Sequence, residues 1–253
     1  MHLRTKARDC LYLNWALPRD AVPELPEPLD YELHPWRGGD WVFVSVLLFR
    51  FSGLHAANLP LVRLSYPQMS LRLYVLDEDR LPSALFLRTM VPFWVAPVSR
   101  LVGRQPAAPG RFTYPSPSSG GDSWTWRLRS AAALEVTASL ASPAVGDGPD
   151  LGSWDSTVDY FRRRRRGYVL WDGGALRSIT RSHPSVAVWP LRVEVTASSL
   201  LSEVFPASTD AHWRGLHSAW LCPEIPFSFE VGEPQLAAMT ARGRMVSPVV
   251  DGC

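Results

Sequence analysis

Gln68, Ser70, Arg72 and Tyr74 stand at every second position of the segment SYPQMSLRLYVL, residues 65–76, with Met69, Leu71, Leu73 and Val75 on the alternate positions. A period of two is a β-strand with one apolar face and one polar face. The polar face can look at water. It can equally look into the polar interior of a closed barrel, where it would be a site, and a buried arginine there needs an anion or a hydrogen-bonding partner.

Other chemistry has less to draw on. Lys6 is the only lysine among the 26 basic residues, so a Schiff base could form there alone. The arginine bias itself fits the coding preference of a GC-rich genome. Cys10, Cys222 and Cys253 form no CxxC pair, which argues against a disulfide framework or a zinc knuckle and fits a reducing, cytoplasmic compartment. His212 and His217 are five apart, Cys222 follows five later and His183 lies earlier. Metal ligands on one helix face recur about every four residues and on a strand every two, so no metal site is expected. GxSxG, HExxH, GxGxxG and P-loop motifs are missing, and no cofactor is called for.

Two further features carry alternatives. The run Arg162 to Arg166 is either the solvated end of a helix, with its charge favourably placed against the helix dipole, or a grip for phosphate or nucleic acid. No interleaved aromatics or wider basic stripe accompany it, and the net charge is only +2, which argues against nucleic acid as the main partner. The rings of Trp124 and Trp126 on one strand face, with Phe93 and Trp94 elsewhere, either fill a β core or wall a pocket for an apolar ligand.

The elements that must position these residues read mostly as strands. DWVFVSVLLFRF, residues 40–51, is apolar on both faces and is expected to be central. Residues 68–75 follow, then 83–90 as their hairpin partner. WVAPVSRLVG reads as a short helix capped by Gly103. Residues 105–123 read as a loop, 124–140 as two strands or one long bent strand, and DSTVDYFRRRRR as a helix capped by Asp155 or Ser156. A hairpin of residues 168–171 and 175–180 turns at Asp172-Gly173-Gly174. Strands are expected near 186–189 and 191–196, and the tail from Cys222 is proline-spaced with the strand-like PFSFEV.

Composition is that of a folded globular chain, with 46% hydrophobic and 20% charged residues over 253 positions. All-β units of about 200–250 residues commonly form one domain, so 1–253 is read as a single domain, with 232–253 a loosely ordered tail. No apolar run follows the N-terminal charges, so no signal peptide is expected, and no segment is long enough to span a membrane.

The order of segments WVFVSVLLFRFSG, YPQMSLRLYV, ALFLRTMVPFWVAPVSRLVG and, later, YFRRRRRGYVLWDGGALRSI with WPL resembles the DUF2071 family of the acetoacetate decarboxylase-like superfamily, over most of residues 10–195. The resemblance implies a mainly β (α+β) fold, an antiparallel closed cone-like barrel with two or three short peripheral helices and a ligand cavity inside. In the superfamily's decarboxylases a lysine forms a Schiff base with a keto acid. By approximate alignment those lysines fall near Phe93 and Trp94 here. Where the family pattern reads like FPEVNLRFYV this chain has YPQMSLRLYV, so Gln68 replaces a glutamate and Ser70 an asparagine, and RTMVP puts Thr89 where REIVP has an acid.

Glutamine and threonine cannot titrate near neutrality, so the obvious general acid and base are gone. The expectation is a barrel that binds a small molecule bearing a carbonyl or carboxylate. If it is an enzyme, it acts by shape and polarisation (cyclisation, isomerisation or dehydration), with Arg72 and Gln68 on the reacting oxygen. Ser70, Tyr74, Thr89, Phe93, Trp94, Trp124 and Trp126 are expected to line the ligand. A non-catalytic binder or sensor is the alternative, and a grip on anionic partners through Arg162–Arg166 a second. A homo-oligomer is compatible with the chain.

Overall fold

The alternation in residues 65–76 belongs to one wall of a closed ring. The structure, a computed structural model, describes residues 2–101, 106–115, 117, 121–164, 166–171, 175–182 and 184–236. In chain order the elements are β1 (His2–Pro18), β2 (Asp30–Tyr31), β3 (His34–Trp36), β4 (Gly39–Ala56), β5 (Leu64–Leu76), β6 (Pro82–Pro92), α1 (Val95–Leu101), β7 (Ala107–Thr113), β8 (Ser123–Arg129) and β9 (Ala133–Leu140). There follow α2 (Trp154–Arg162), β10 (Arg166–Leu170), β11 (Ala175–Ser182), β12 (Trp189–Ala197), α3 (Ser199–Val204), α4 (Asp210–Arg214) and β13 (Ser218–Leu236).

Pairing runs β1–β4–β5–β6–β10–β11–β13 and back to β1. Every step is antiparallel except β6–β10. Closure leaves none of these strands with an open edge. A second ring branches from the same strands, because β6 also pairs with β7 and the path β7–β8–β9–β12 returns to β13. Strands β13, β1, β4, β5 and β6 are therefore shared between two barrels.

Sharing explains why residues 40–51 are apolar on both faces. Val42, Val44, Val46 and Leu48 enter one core with Leu71, Leu73, Trp126 and Val136. Phe43, Leu47, Phe49 and Phe51 enter the other, with Tyr12, Tyr66, Tyr74 and Phe161. Each side chain alternates to the opposite barrel, as the strand period requires. In β1 the phase changes at a bulge, where Asp9 takes φ of 50° and the register against β4 jumps between Arg8 and Leu11. Leu3 and Ala7 before it, and Cys10 and Tyr12 after it, then all face the seven-stranded barrel.

Helix α2 packs under that barrel. Phe161, wholly buried, meets Phe43 edge-on at 5.2 Å and Tyr74 at 5.1 Å. A phenylalanine so placed stabilises by roughly 2 kcal/mol.

Several local expectations are corrected. Residues 105–123 are not all loop, because β7 lies within them, parallel to β6. Its Gly110 is needed there: a Cβ would stand 2.8 Å from Leu128 Cδ1. The α2 cap is Ser153, whose Oγ accepts from the Ser156 amide, two residues ahead of the expected Asp155. The strand expected at 186–189 begins only at Trp189. The segment from Cys222 belongs to the seam strand β13, which runs to Leu236 and zips β1 to β11; residues 237–253 lie outside the described residues. Gly103 and the Asp172-Gly173-Gly174 turn also lie outside them.

Candidate functional site

Arg72 points into the seven-stranded barrel. It stands opposite Ser45 on β4 and Phe86 on β6. The β5–β6 register slips at this point, from Leu71↔Arg88 to Arg72↔Phe86, so Leu87 is an extra residue beside the arginine. Such a bulge turns the local strand and re-aims its side chains. The row continues from Phe86 to Val169 on β10 and Arg177 on β11.

These strands enclose a cavity of about 240 Å³. Its walls are largely apolar, with Phe49, Phe51, Tyr66, Phe227 and Phe229 among them, and Leu59, Val62 and Val98 border it at exposed positions. Gln68, Ser70, Arg72, Arg177 and Arg181 also line it. Among the described residues, no Asp, Glu or Lys does.

The guanidinium of Arg72 is wholly buried. Its Nη2 donates to the Tyr74 hydroxyl at 3.2 Å, while Nε and Nη1 have no partner among the described residues. Beyond Tyr74 the proton directions are fixed. Asn14 Nδ2 faces the Ser218 carbonyl at 3.2 Å, which can only accept, so Oδ1 is the atom presented to Ser45. Ser45 Oγ donates to it at 2.5 Å, using its single hydrogen. Tyr74, whose oxygen accepts from Arg72, then directs its single hydrogen to Ser45 at 2.8 Å, with the Phe161 carbonyl a longer acceptor at 3.4 Å. The guanidinium carbon also lies 5.7 Å from the ring centres of both Tyr12 and Tyr74, within cation–π range.

Arg181 and Arg177 repeat the pattern. Both are buried, and the Nε of each is without a partner. Arg181 donates to the Arg164 carbonyl, and burial first, then the positive Arg72, lowers its pKa to about 10. Burial pushes the Cys10 thiol and the Tyr12 phenol well up, each with a smaller push from its neighbours Cys222 and Cys10 respectively. Burial does the same to Tyr66. All three remain protonated near neutral pH, so the lining offers hydrogen-bond donors and cations.

The arginine run divides between interior and surface. Arg162 and Arg164 are buried, at 8% and 2% exposure, and not solvated as a helix end would be. Arg162 donates to the Val186 and Pro184 carbonyls, and Arg164 pairs with Glu32 at 2.9 Å. Arg163 bonds Asp159 at 2.5 Å, and Arg166 bonds Asp79 at 2.8 Å and Asp77 at 3.2 Å. Arg165 lies outside the described residues. The four described members of the run are thus each engaged, Arg162 and Arg164 in the interior and Arg163 and Arg166 with acids at the surface.

Of the residues expected to form the site, Gln68, Ser70 and Arg72 come together in the cavity, Gln68 Nε2 donating to Ser70 Oγ at 3.1 Å. Tyr74 lies just behind Arg72. Thr89 is buried opposite Ser70 but does not line the cavity. Phe93 and Trp94 are 75% and 45% exposed on the turn before α1, outside the lining, and Trp94 reaches the site only through edge contact with Tyr66 at 6.3 Å. Trp124 and Trp126 pack in the core of the other barrel, because their face of β8 turns toward β5's odd-numbered residues. Lys6 lies on the outer face of β1, half-exposed and paired with Glu224 at 2.8 Å.

Sequence reasoning missed Tyr12, Arg177 and Arg181. The β11 alternation of Arg177, Ile179 and Arg181 was the signal available for two of them. Among the described residues no cluster of His, Cys, Asp or Glu could hold a metal ion, and His183 lies outside them. Likewise, no described helix is long and apolar enough to cross a membrane.

The model of DUF2071, described as an uncharacterized conserved protein, matches residues 4–216. None of the curated proteins matches the chain. Among solved structures, the enduracididine biosynthesis enzyme MppR, complexed with the condensation product of pyruvate and imidazole 4-carboxaldehyde, is similar with a TM-score of 0.59 at 12% identity. The likeness covers 93% of this chain and 89% of that one. An acetoacetate decarboxylase-like enzyme from Sphingomonas wittichii RW1 gives a TM-score of 0.55 at 13% identity, over 92% and 91%. At these identities the likeness is one of fold: the chain has the acetoacetate decarboxylase-like barrel.

Proposed function

The chain belongs to the DUF2071 family, and from that premise we propose that its seven-stranded barrel binds an organic anion with an apolar body, the anionic oxygens resting on Arg72. One observation carries the reading. Arg72 is wholly buried at the cavity and, among the described residues, two of its nitrogens lack partners and no carboxylate in the lining balances it. An unpaired buried charge is costly, and a charge-assisted bond from a ligand carboxylate or enolate relieves that cost. The aromatic walls suit the ligand's body by removing apolar surface from water.

The titration test is direct. Decanoate is expected to bind the wild-type chain and decylamine not to. Arg72→Gln is expected to weaken decanoate binding by about tenfold to a hundredfold, the range for a lost bond to a charged group. Equal binding of decylamine and decanoate would overturn the reading.

A catalytic second reading rests on Tyr12 and Cys10, both held protonated beside Arg72. A carbonyl oxygen placed there meets donors and a cation, which stabilise the enolate left when solvent hydroxide takes the α-proton, and Gln68 would orient it. Cyclisation, isomerisation or dehydration of a carbonyl-bearing metabolite is the matching class. Exchange of α-hydrogens of a bound keto acid for deuterium, faster than in buffer and lost in Arg72→Gln, is the expected sign; exchange at the buffer rate would leave a binder.

A further inference from the structure

We propose that the ligand's head group carries at least two negative charges, as a phosphate ester does, and that Arg177 and Arg181 on β11 hold it jointly with Arg72 on β5. This deepens the binding reading of the same barrel and rests on it. The count of charges is the argument. Three arginines line the cavity, each less than a tenth exposed, and no Asp or Glu borders it among the described residues. Glu32, Asp159, Asp77 and Asp79 are tied to other arginines, Arg164, Arg163 and Arg166, and Asp9, buried beside Cys10, has a partner of its own and does not line the cavity.

One carboxylate can satisfy one guanidinium fork. It would leave Arg177 and Arg181 as two uncompensated buried cations on one strand of a low-dielectric space, where like charges repel strongly. The nitrogens without partners are distributed accordingly: Nε and Nη1 of Arg72, and Nε of both Arg177 and Arg181. A phosphate monoester presents three acceptor oxygens and nearly two charges above its second pKa of about 6. Arginine forks match phosphate oxygens bidentately, and the third oxygen and second charge leave an acceptor for a further guanidinium. Arg72 and Arg177 lie on one continuous row through Phe86 and Val169, so the cations approach the cavity from two different strands, β5 and β11.

The test is a matched pair titrated against the full chain, decyl phosphate and decanoate at pH 7.5. Decyl phosphate is expected to bind at least about tenfold more tightly, equivalent to about 1.4 kcal/mol. Arg181→Gln and Arg177→Gln are each expected to erase most of that margin while decanoate still binds through Arg72. A second readout needs no variant: in the wild type, the margin is expected to shrink between pH 7.5 and pH 5, as the phosphate becomes a monoanion. Equal affinity for the two probes, or a margin unmoved by both substitutions and by pH, would overturn the proposal and leave the binding reading standing. Failure of both probes to bind would instead sink the binding reading itself.

Discussion

Arg72 donates to the hydroxyl of Tyr74, two residues along the same strand, and that 3.2 Å bond is the guanidinium's one hydrogen bond among the described residues. The Tyr74 oxygen is in turn held by Ser45 and, through it, Asn14, so the arginine is oriented from behind beside the cavity that it lines. Preorganisation of this kind lowers the entropy cost of binding.

That arrangement sets function against stability. Arg72→Met removes a buried charge that has no carboxylate partner and leaves a side chain of similar length. The variant is expected to be as stable as the wild type or up to about 3 kcal/mol more stable, as replacement of buried ionic groups by apolar ones often is. It is also expected to lose anion binding. Urea unfolding and titration with decanoate, run on one preparation, check both halves.

Removing an engaged acid has the opposite effect. Glu32 and Arg164 form a pair at 2.9 Å, with the arginine side chain 2% exposed. Glu32→Ala strands that arginine and is expected to cost about 3–5 kcal/mol. Asp147→Ala breaks an exposed pair with Arg37 and is expected to cost less than about 1 kcal/mol. The two urea midpoints should separate clearly.

Stability is expected to fall on mild acidification. Burial, then the positive Arg164 and His217, depress His34 from its ordinary value to about 4, and burial lowers His217 too. Between the unfolded pKa of about 6.5 and the folded value, the unfolded chain holds more protons. The contribution is therefore full above about pH 6.5 and is lost as pH drops toward 4. His34 is part-exposed and bonds the Tyr160 hydroxyl, so the effect is modest. Denaturation midpoints at pH 7 and pH 5 measure it, and the gap is expected to narrow in His34→Gln.

Cavity size hinges on a glycine. A Cβ on Gly167 of β10 would lie 2.5 Å from the Phe86 ring, which borders the cavity. Gly167→Ala is expected to push that ring inward, cost about 1–3 kcal/mol and weaken ligand binding. Adding Phe86→Leu is expected to restore most of the binding, which calorimetry of the single and double variants would register.

Much of this barrel was readable from residues, but unevenly. A run apolar on both faces placed β4, the hairpin pattern placed β6, and alternation placed β5 and singled out Gln68, Ser70 and Arg72, because a strand with one polar and one apolar face leaves a strict period in the chain. Register and closure left no such trace. The bulge at Asp9 flips β1 so that Tyr12 joins the site, and a one-residue shift of phase is invisible without the partner strand. Trp124 and Trp126 read equally well as pocket or core, since ring size says nothing of which barrel a face enters. Phe93 and Trp94 were placed by alignment with a lysine pair, and in this chain that turn lies outside the lining. Arg162 and Arg164 looked solvated because local charge patterning cannot foresee distant partners such as Glu32 and Val186.

The most direct measurement is the crystal structure of the protein grown with decanoate. The account predicts carboxylate oxygens about 2.7–2.9 Å from Arg72 Nη1 or Nε, with the chain running between Phe49, Phe51 and Phe229. A cavity holding only water, with decanoate on the outer surface or Arg72 turned away from it, would contradict the account.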